Sequence, residues 1–595
     1  MCGIAGIVSE DSKKYKNNIE KMLKSLSHRG PDERGVFYFN NCVLAHTRLS
    51  IVDLQTGKQP MLSGCNNIGI TFNGEIYNYK EIKNNLGYKF KTSSDTEVIL
   101  ALYKKYKFNL LDRLPGMFSF AIWNDETKEL FCARDRFGEK PFFYAIGRNN
   151  EFIFASEIKA ILASGLIEPV LDKSSLAHYL KYLYVNPSKT IYKNIHTLSP
   201  AHKLIYQGRI KSIKRYWNLP KTNNNIELSD ALIKFRKLFK KAVKSQLVSD
   251  VPVGAFLSGG LDSSTIVGIA SQFNKNIKTF SFGFGESINE LPFARDVSEK
   301  YKTDHYELSD SNYNISELLI KMAEVYDEPF ADSSNIPTFL ISKFAKKYTK
   351  VILTGDGGDE LLGGYSWYKP FLYLNNSNIK FDNFYFRLFI RFFKKIVRNK
   401  TFNDYLISKK YNSFLDGYFK KNSFFEDNDL FSFGLGDFVS EINICDNLDD
   451  IMKLDIENYM TGDILVKIDR ASMFHGLELR SPFLDVDFAS FCISLPYSLK
   501  LNKNEDKIIL RKAFSDIWPE SIRRRNKHGF GAPIKQWLKL PEVKELKQEY
   551  LLDKDRKIFK YLPFNKVSNF CKFSNYKAWI FLNLSIWMEK NKNIF

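Results

Sequence analysis

A chain of 595 residues, 44% hydrophobic and 26% charged, is too long for a single core and has the balance of a soluble globular protein of two or more domains. The net charge of +20 comes from lysines spread along the whole chain, and no nucleic-acid-binding motif accompanies it, so nucleic acid is set aside as a partner. Seven scattered cysteines without a C-x-x-C, an apolar start at MCGIAGIV without a basic leader, and no apolar run long enough for a bilayer predict a cytoplasmic protein with neither signal peptide nor membrane span.

Residues 1–217 read as short strands joined by turns. Apolar runs predict strands at 2–8, 36–40, 42–52, 68–77, 118–123, 129–135 and 152–156, and helices at 15–27, 79–85 and 95–106. The polar stretch NLPKTNNN at 218–225 has a proline and no periodicity and is the predicted linker. From 226 to 595 the texture changes: strand-like runs at 253–257, 277–284 and 350–355 alternate with helical patterns at 230–248, 262–273, 291–301 and 336–347. That alternation predicts an α/β domain on a parallel sheet, with additional helices after about residue 365. The basic, aromatic stretch 371–425 contains NFYFRLFIRFFKKIV, read as a core or lid helix in preference to a helix lying on a membrane.

The second half is organised around VPVGAFLSGGLDSS at 251–264. A strand runs into a turn of Ser258, Gly259 and Gly260, and a helix follows from about Asp262. Glycines let backbone N–H groups approach an anion, the helix start adds its positive end, and Ser258, Ser263 and Ser264 add hydroxyls; together they predict a phosphate cradle. The G-x-x-x-x-G-K-[ST] signature is absent, so no loop lysine reaches a γ-phosphate. At the start of the chain, removal of Met1 would leave Cys2 first. Its α-amine, titrating near ~7.7–8, can then serve as base for a thiol near ~8.5 without a catalytic histidine.

SGGLDSS resembles the pyrophosphate loop of enzymes that cleave ATP between its α- and β-phosphates and activate a carboxylate as its adenylate. CGIAGI, RGPD at 29–32, AHTRLSIVD at 45–53, FNGEIYN at 72–78, SSDTE at 93–97, GMFSFAIW at 116–123 and RDRFGEKPFFY at 134–144 resemble, in order, the N-terminal-nucleophile glutaminase domain of class II amidotransferases. Further signatures are LTGDGGDELLGGY at 353–365, DILVKIDRASMFHGLELRSPFLD at 463–485, EDKIILRKAF at 505–514 and RRRNKHGFGAPIKQWL at 523–538. With them, the chain from Cys2 to about Trp587 resembles the glutamine-hydrolysing asparagine synthetases, least so through 371–425. The resemblance implies an αββα Ntn-hydrolase sandwich at 1–217 and an ATP-pyrophosphatase-type domain at 226–595. It also implies ATP and Mg²⁺ as cofactors, with glutamine and aspartate, or another carboxylate acceptor such as a sugar acid, as partners. A homodimer is compatible with it.

Residue by residue, the resemblance implies that Cys2 attacks the glutamine amide and passes through a thioester, with Asn73 and the Gly74 N–H holding the oxyanion. It pairs Arg48 with the glutamine α-carboxylate and Asp95 with the α-ammonium, with Glu75 and the Val52 backbone close by; singly, Arg48 and Asp95 would read as a surface ion pair. His46 reads as structural. Leu257, Ser258, Gly259, Gly260, Leu261, Asp262, Ser263, Ser264, Phe282, Thr354 and Gly355 are implied to contact ATP. Asp356 is implied in adenylate formation, Lys507 in neutralising departing pyrophosphate, and Asp262 and Asp359 in holding Mg²⁺, with a helix cap as the other reading of Asp359. Lys467, Asp469, Arg470 and Arg480 read as one charged set, and ammonia is implied to pass inside the protein.

Overall fold

The structure, a computed structural model, describes residues 1–283, 290–309, 313–376, 400–436, 445–525 and 531–591. The first half contains two six-stranded antiparallel sheets. One runs in the order Ile195–Thr197, Phe143–Ile146, Phe152–Ala155, Gly3–Val8, Cys42–Arg48, Glu33–Tyr38. The other runs Ile210–Arg215, His202–Tyr206, Glu129–Arg134, Gly116–Asn124, Ile68–Ile76, Met61–Leu62. Ile4, Leu44, Trp123, Cys132 and Phe154 fill the space between the sheets. Helices Lys16–Ser25 and Ile158–Ala163 cover the first sheet and Asp95–Tyr106 the second, giving the four layers expected. The strand GIAGIV at Gly3–Val8 is buried throughout, because one face meets a helix and the other meets a sheet; an unbroken apolar run suits that position.

The predicted strand at 42–52 ends at Arg48, because the chain turns back through Asp53, whose φ is 54°. Phe143–Ile146, His202–Tyr206 and Ile210–Arg215 are strands that periodicity alone missed. Ile210–Arg215 is an edge strand, and its lysine-rich outer face hides the pattern.

The second half is built on a five-stranded parallel sheet in the order Asp304–Ser309, Lys278–Gly283, Val253–Phe256, Val351–Leu353, Glu478–Arg480. The chain starts at the central strand, extends to one side, then crosses to the other. Ligand crevices in such sheets form at the C-terminal ends of the strands where the order reverses, here between Val253–Phe256 and Val351–Leu353. Leu261–Ala270 and Leu291–Tyr301 pack together beside the sheet, and Asn335–Ala345 packs with Leu465–Met473.

Both edge strands escaped the sequence reading. Glu478–Arg480 is three residues with two charges, yet it is fully buried because its charges are paired. The segment 218–225 carries no regular element, and the Asn223 amide donates to the Ser494 carbonyl at 2.7 Å. The helix expected in NFYFRLFIRFFKKIV lies outside the described residues. The flanking helix Phe414–Asn422 buries Phe414 and Tyr418. No helix among the described residues is long and apolar enough to cross a membrane.

Candidate active sites

Cys2 sits at the start of strand Gly3–Val8 and is 7% exposed. Its backbone nitrogen donates to Asn73 Oδ1 at 2.9 Å. Asn73 lies on Ile68–Ile76, is fully buried, and its Nδ2 has no hydrogen-bond partner. A buried amide donor left unmade is costly, and it marks a place where an acceptor arrives with a ligand. Next to it, Gly74 has φ +156°, and a Cβ there would lie 2.1 Å from the Met117 carbonyl oxygen, so only glycine fits. Burial pushes the Cys2 thiol up from its ordinary value against the lowering effect of the chain terminus and Arg48.

Arg48 is 4% exposed, and the carboxylate it pairs with is Glu33 rather than Asp95. Its Nη2 donates to the Val52 carbonyl at 3.3 Å and the Asp53 carbonyl at 2.5 Å, and Nη1 to the Glu33 carboxylate at 2.8 Å. The guanidinium is thus held by backbone and already carries a carboxylate on its outer edge. Asp95, the first residue of its helix, is 4% exposed and accepts from the Ile76 amide at 3.1 Å. Burial raises it to about 6 despite that bond. Glu75 lies 3.5 Å from Arg480 Nη2 of the other half, and burial holds it well above the carboxylate range. His46 Nε2 contacts the Phe72 carbonyl at 3.1 Å; it is buried, pushed down to about 3 by desolvation, and structural.

In the second half a cavity of about 830 Å³ opens at the strand ends. Leu257, Ser258, Gly259, Gly260, Leu261, Asp262, Ser263, Phe282, Thr354, Gly355, Asp356, Asp359 and Lys507 all line it. Ser264 does not: it is buried one turn into a helix whose residues from Ser263 to Ala270 are covered. That helix starts at Leu261, with Gly260 as its cap. Gly259 has φ +64°, and a Cβ would come within 2.5 Å of Phe293, so the turn requires glycine.

Lys507 contacts Asp262, and its Nζ lies 2.6 Å from Asp359 Oδ1. Burial opposes the charge of this amine, but the two carboxylates outweigh it and raise its affinity for the proton. Helix Gly358–Leu362 is capped by Gly357 without a side-chain bond, so Asp359 faces the cavity and is not the cap. Burial raises Asp356, whose Oδ2 accepts from the Thr354 hydroxyl at 2.5 Å.

The charged set expected at 467–480 divides in three. Lys467 lines the cavity and pairs with Asp332 at 2.9 Å. Asp469 takes both Arg29 Nη atoms at 2.9 Å, and Arg470 shares that carboxylate. Arg480 binds Glu478 at 2.7 Å. Arg29 lies in RGPD and Arg525 in RRRNKHGFGAPIKQWL, and neither motif marks its arginine with a role. Arg525 donates to the Ser258 carbonyl at 2.8 Å and to Glu290 at 2.7 Å, bracing the turn. Arg29 is fully buried; besides Asp469 it reaches Glu157 at 2.8 Å and the Cys2 carbonyl at 3.1 Å. Arg29→Ala would remove the cation that two buried carboxylates share, leaving Asp469 to Arg470 and Glu157 to Lys159 and His28. It should cost about 3–5 kcal/mol of stability by denaturant unfolding, and a loss under about 1 kcal/mol would contradict that role.

Comparison with known proteins shows the family. The asparagine synthase family model matches residues 234–589 and the glutamine amidotransferase domain model residues 1–217. The chain is 32% identical over 580 residues to asparagine synthetase [glutamine-hydrolyzing] 1 of Bacillus subtilis, covering 91% of this chain and 88% of that one. It is 31% identical over 588 residues to asparagine synthetase [glutamine-hydrolyzing] 3 of the same organism, covering 91% and 89%. It is 32% identical over 387 residues to asparagine synthetase [glutamine-hydrolyzing] 2 of Arabidopsis thaliana, covering 62% and 61%. A family model across most of the second half, a second across the first, and near full-length relatives above 30% identity place this chain among the glutamine-hydrolysing asparagine synthetases.

Proposed function

We propose that the protein amidates L-aspartate to L-asparagine with ammonia from glutamine, through β-aspartyl-AMP, releasing AMP, pyrophosphate and glutamate. The observation that carries this reading is the Cys2–Asn73 pair. The Asn73 carbonyl oxygen fixes the Cys2 nitrogen, and its amide nitrogen is a buried donor with no partner. With Met1 removed, the Cys2 amine takes the thiol proton and the thiolate attacks the glutamine amide. Asn73 Nδ2 and the Gly74 N–H then meet the oxyanion, and Arg48 and Asp95 hold the two ends of the amino acid.

In the second cavity the turn Ser258–Gly259–Gly260 would take the outer phosphates, with Leu257 and Phe282 against the base. Lys507 would neutralise the departing pyrophosphate. Two carboxylates, Asp262 and Asp359, converge on one cationic group, the Lys507 amine. That donor set fits Mg²⁺, which takes one or two carboxylates together with phosphate oxygens; bound there, the ion would offset phosphate charge. Asp356 lies in the same cavity, where the acceptor carboxylate must meet the α-phosphate.

The acceptor is tested by pyrophosphate release with aspartate against a panel of carboxylates. Aspartate should give the highest kcat/KM, and a different best acceptor would sink the aspartate assignment. One observation favours a larger acceptor such as a sugar acid: Tyr365 and Trp367, stacked at 3.9 Å, form a flat wall of the same cavity.

The Asp95 carboxyl gives a pH prediction. Its value of about 6 means that it gains a proton as pH falls through that point and can then no longer pair with an ammonium. KM for glutamine should therefore rise below pH ~6, with ammonia-dependent synthesis unaffected by this group. A flat glutamine KM between pH ~5 and 8 would remove Asp95 from substrate binding.

A further inference from the structure

Lys421 lies on helix Phe414–Asn422, in the basic aromatic stretch where the resemblance to the family is weakest. Its amine is covered and makes no hydrogen bond among the described residues. The Nζ instead sits over the Trp367 ring, 3.9 Å from its centroid, with the Tyr368 ring at 5.4 Å. Burial lowers its hold on the proton to about 7, against the pull of Asp455. Lysine heads ordinarily reach water. One turned onto an indole is held there by the ring quadrupole, an attraction that is strongest for Trp and grows when water is excluded.

The same indole belongs to a stack that ends in the second cavity. Tyr365 stacks on Trp367 at 3.9 Å with 15° between the planes. A stacked ring covers the face it lies on, so the Lys421 amine, at the same distance, must lie on the opposite face. Trp367 Nε1 donates to Asp455 Oδ2 at 3.2 Å, which fixes the edge of the indole. Tyr459 meets both rings edge-on, at 5.8 and 5.6 Å. The Tyr365 hydroxyl then donates to Glu360 Oε1 at 2.7 Å. Tyr365, Trp367, Tyr459 and Glu360 line the cavity, whereas no described residue of 371–425 does. Lys421 can therefore act on a bound molecule only through the indole. Most of this wall belongs to the segment that follows Asp356, the residue read above as working on the acceptor.

We propose that Lys421 is a positioning residue for the acceptor: it clamps Trp367 from behind and so fixes the Tyr365–Trp367 wall, with Glu360 at its end, against which the acceptor is seated. The inference rests on the synthetase reading above. It gives the divergent basic aromatic stretch a part in the reaction without placing any of its described residues in the cavity. Charge on Lys421 strengthens binding of the acceptor and leaves the phosphate turn untouched.

The test reads pyrophosphate release at about pH 6.5, below the point at which Lys421 loses its proton. Aspartate is the probe; where the wild type prefers another carboxylate of the panel, that one replaces it. Lys421→Met keeps the stem and loses the charge, and should raise KM for the acceptor about tenfold while KM for ATP changes less than about twofold. Lys421→Arg, whose guanidinium also stacks on an indole, should restore most of the loss. Trp367→Leu should raise the acceptor KM at least as much, and adding Lys421→Met to it should change nothing further, because the charge then has no ring to act through. Should Lys421→Met not fold, Lys421→Gln is read in the same way. An unchanged acceptor KM in the neutral variant, an equal rise in KM for ATP, no rescue by arginine, or additive effects of the two substitutions overturns the clamp. The wild type separates the two readings: no pyrophosphate with any carboxylate overturns the synthetase reading and this one with it, whereas normal wild-type release with unaffected variants overturns the clamp alone.

Discussion

Cys2→Ala should abolish amide formation from glutamine and leave amide formation from free ammonia close to the wild-type rate. Neither Gly3–Val8 nor Ile68–Ile76 carries another cysteine. The only imidazole on the neighbouring strand, His46, is pushed down to about 3 and bonded to the Phe72 carbonyl. Glutamate release should fall to the uncatalysed background, a loss larger than the ~10²–10³-fold that follows removal of one oxyanion donor. The cavity at the ends of the parallel strands contains no residue of the first strand, so on the proposed reading ammonia added to the solution can still reach it. Parallel loss of both activities would mean that the two halves do not carry separable sites, and parallel retention would mean that Cys2 is not the nucleophile.

Lys507→Ala should lower turnover at least about 100-fold, with a much smaller change in KM for ATP. The side chain is 4% exposed and bridges Asp262 and Asp359 at the mouth of the phosphate turn. In the proposed reaction negative charge grows on the leaving phosphates late, so the amine would stabilise the transition state more than bound ATP. Removing it would also take away the cation that Asp262 and Asp359 share. Pyrophosphate release measured against ATP concentration separates kcat from KM. A variant that changes KM alone would reassign Lys507 to nucleotide binding.

The parts of this molecule that were legible in the sequence are those whose physics is local. VPVGAFLSGGLDSS announces a strand, a glycine turn and a helix start within fourteen residues, and the structure has all three, with Gly259 at positive φ. GIAGIV shows by its lack of polar residues that both faces are covered. The alternation after residue 226 is enough for a parallel sheet. What was not legible depends on contacts across hundreds of residues. Glu478–Arg480 has no strand pattern, because its burial is satisfied by Met1 and Glu75 from the other half. Arg29 and Asp469 are 440 positions apart, and nothing local marks them as partners. Lys467, Asp469 and Arg480 look like one cluster in a line of text, but the helix and the strand aim them at a cavity, an interface and a sheet edge.

The most direct test of the coupled reaction is the identity of the nucleotide product during glutamine-dependent turnover with an acceptor carboxylate. The proposed chemistry predicts AMP and pyrophosphate in equal amounts, formed only when the acceptor is present and accompanied by glutamate. Formation of ADP and phosphate would contradict it, because a turn that grips the outer two phosphates as a unit would then be cutting between them.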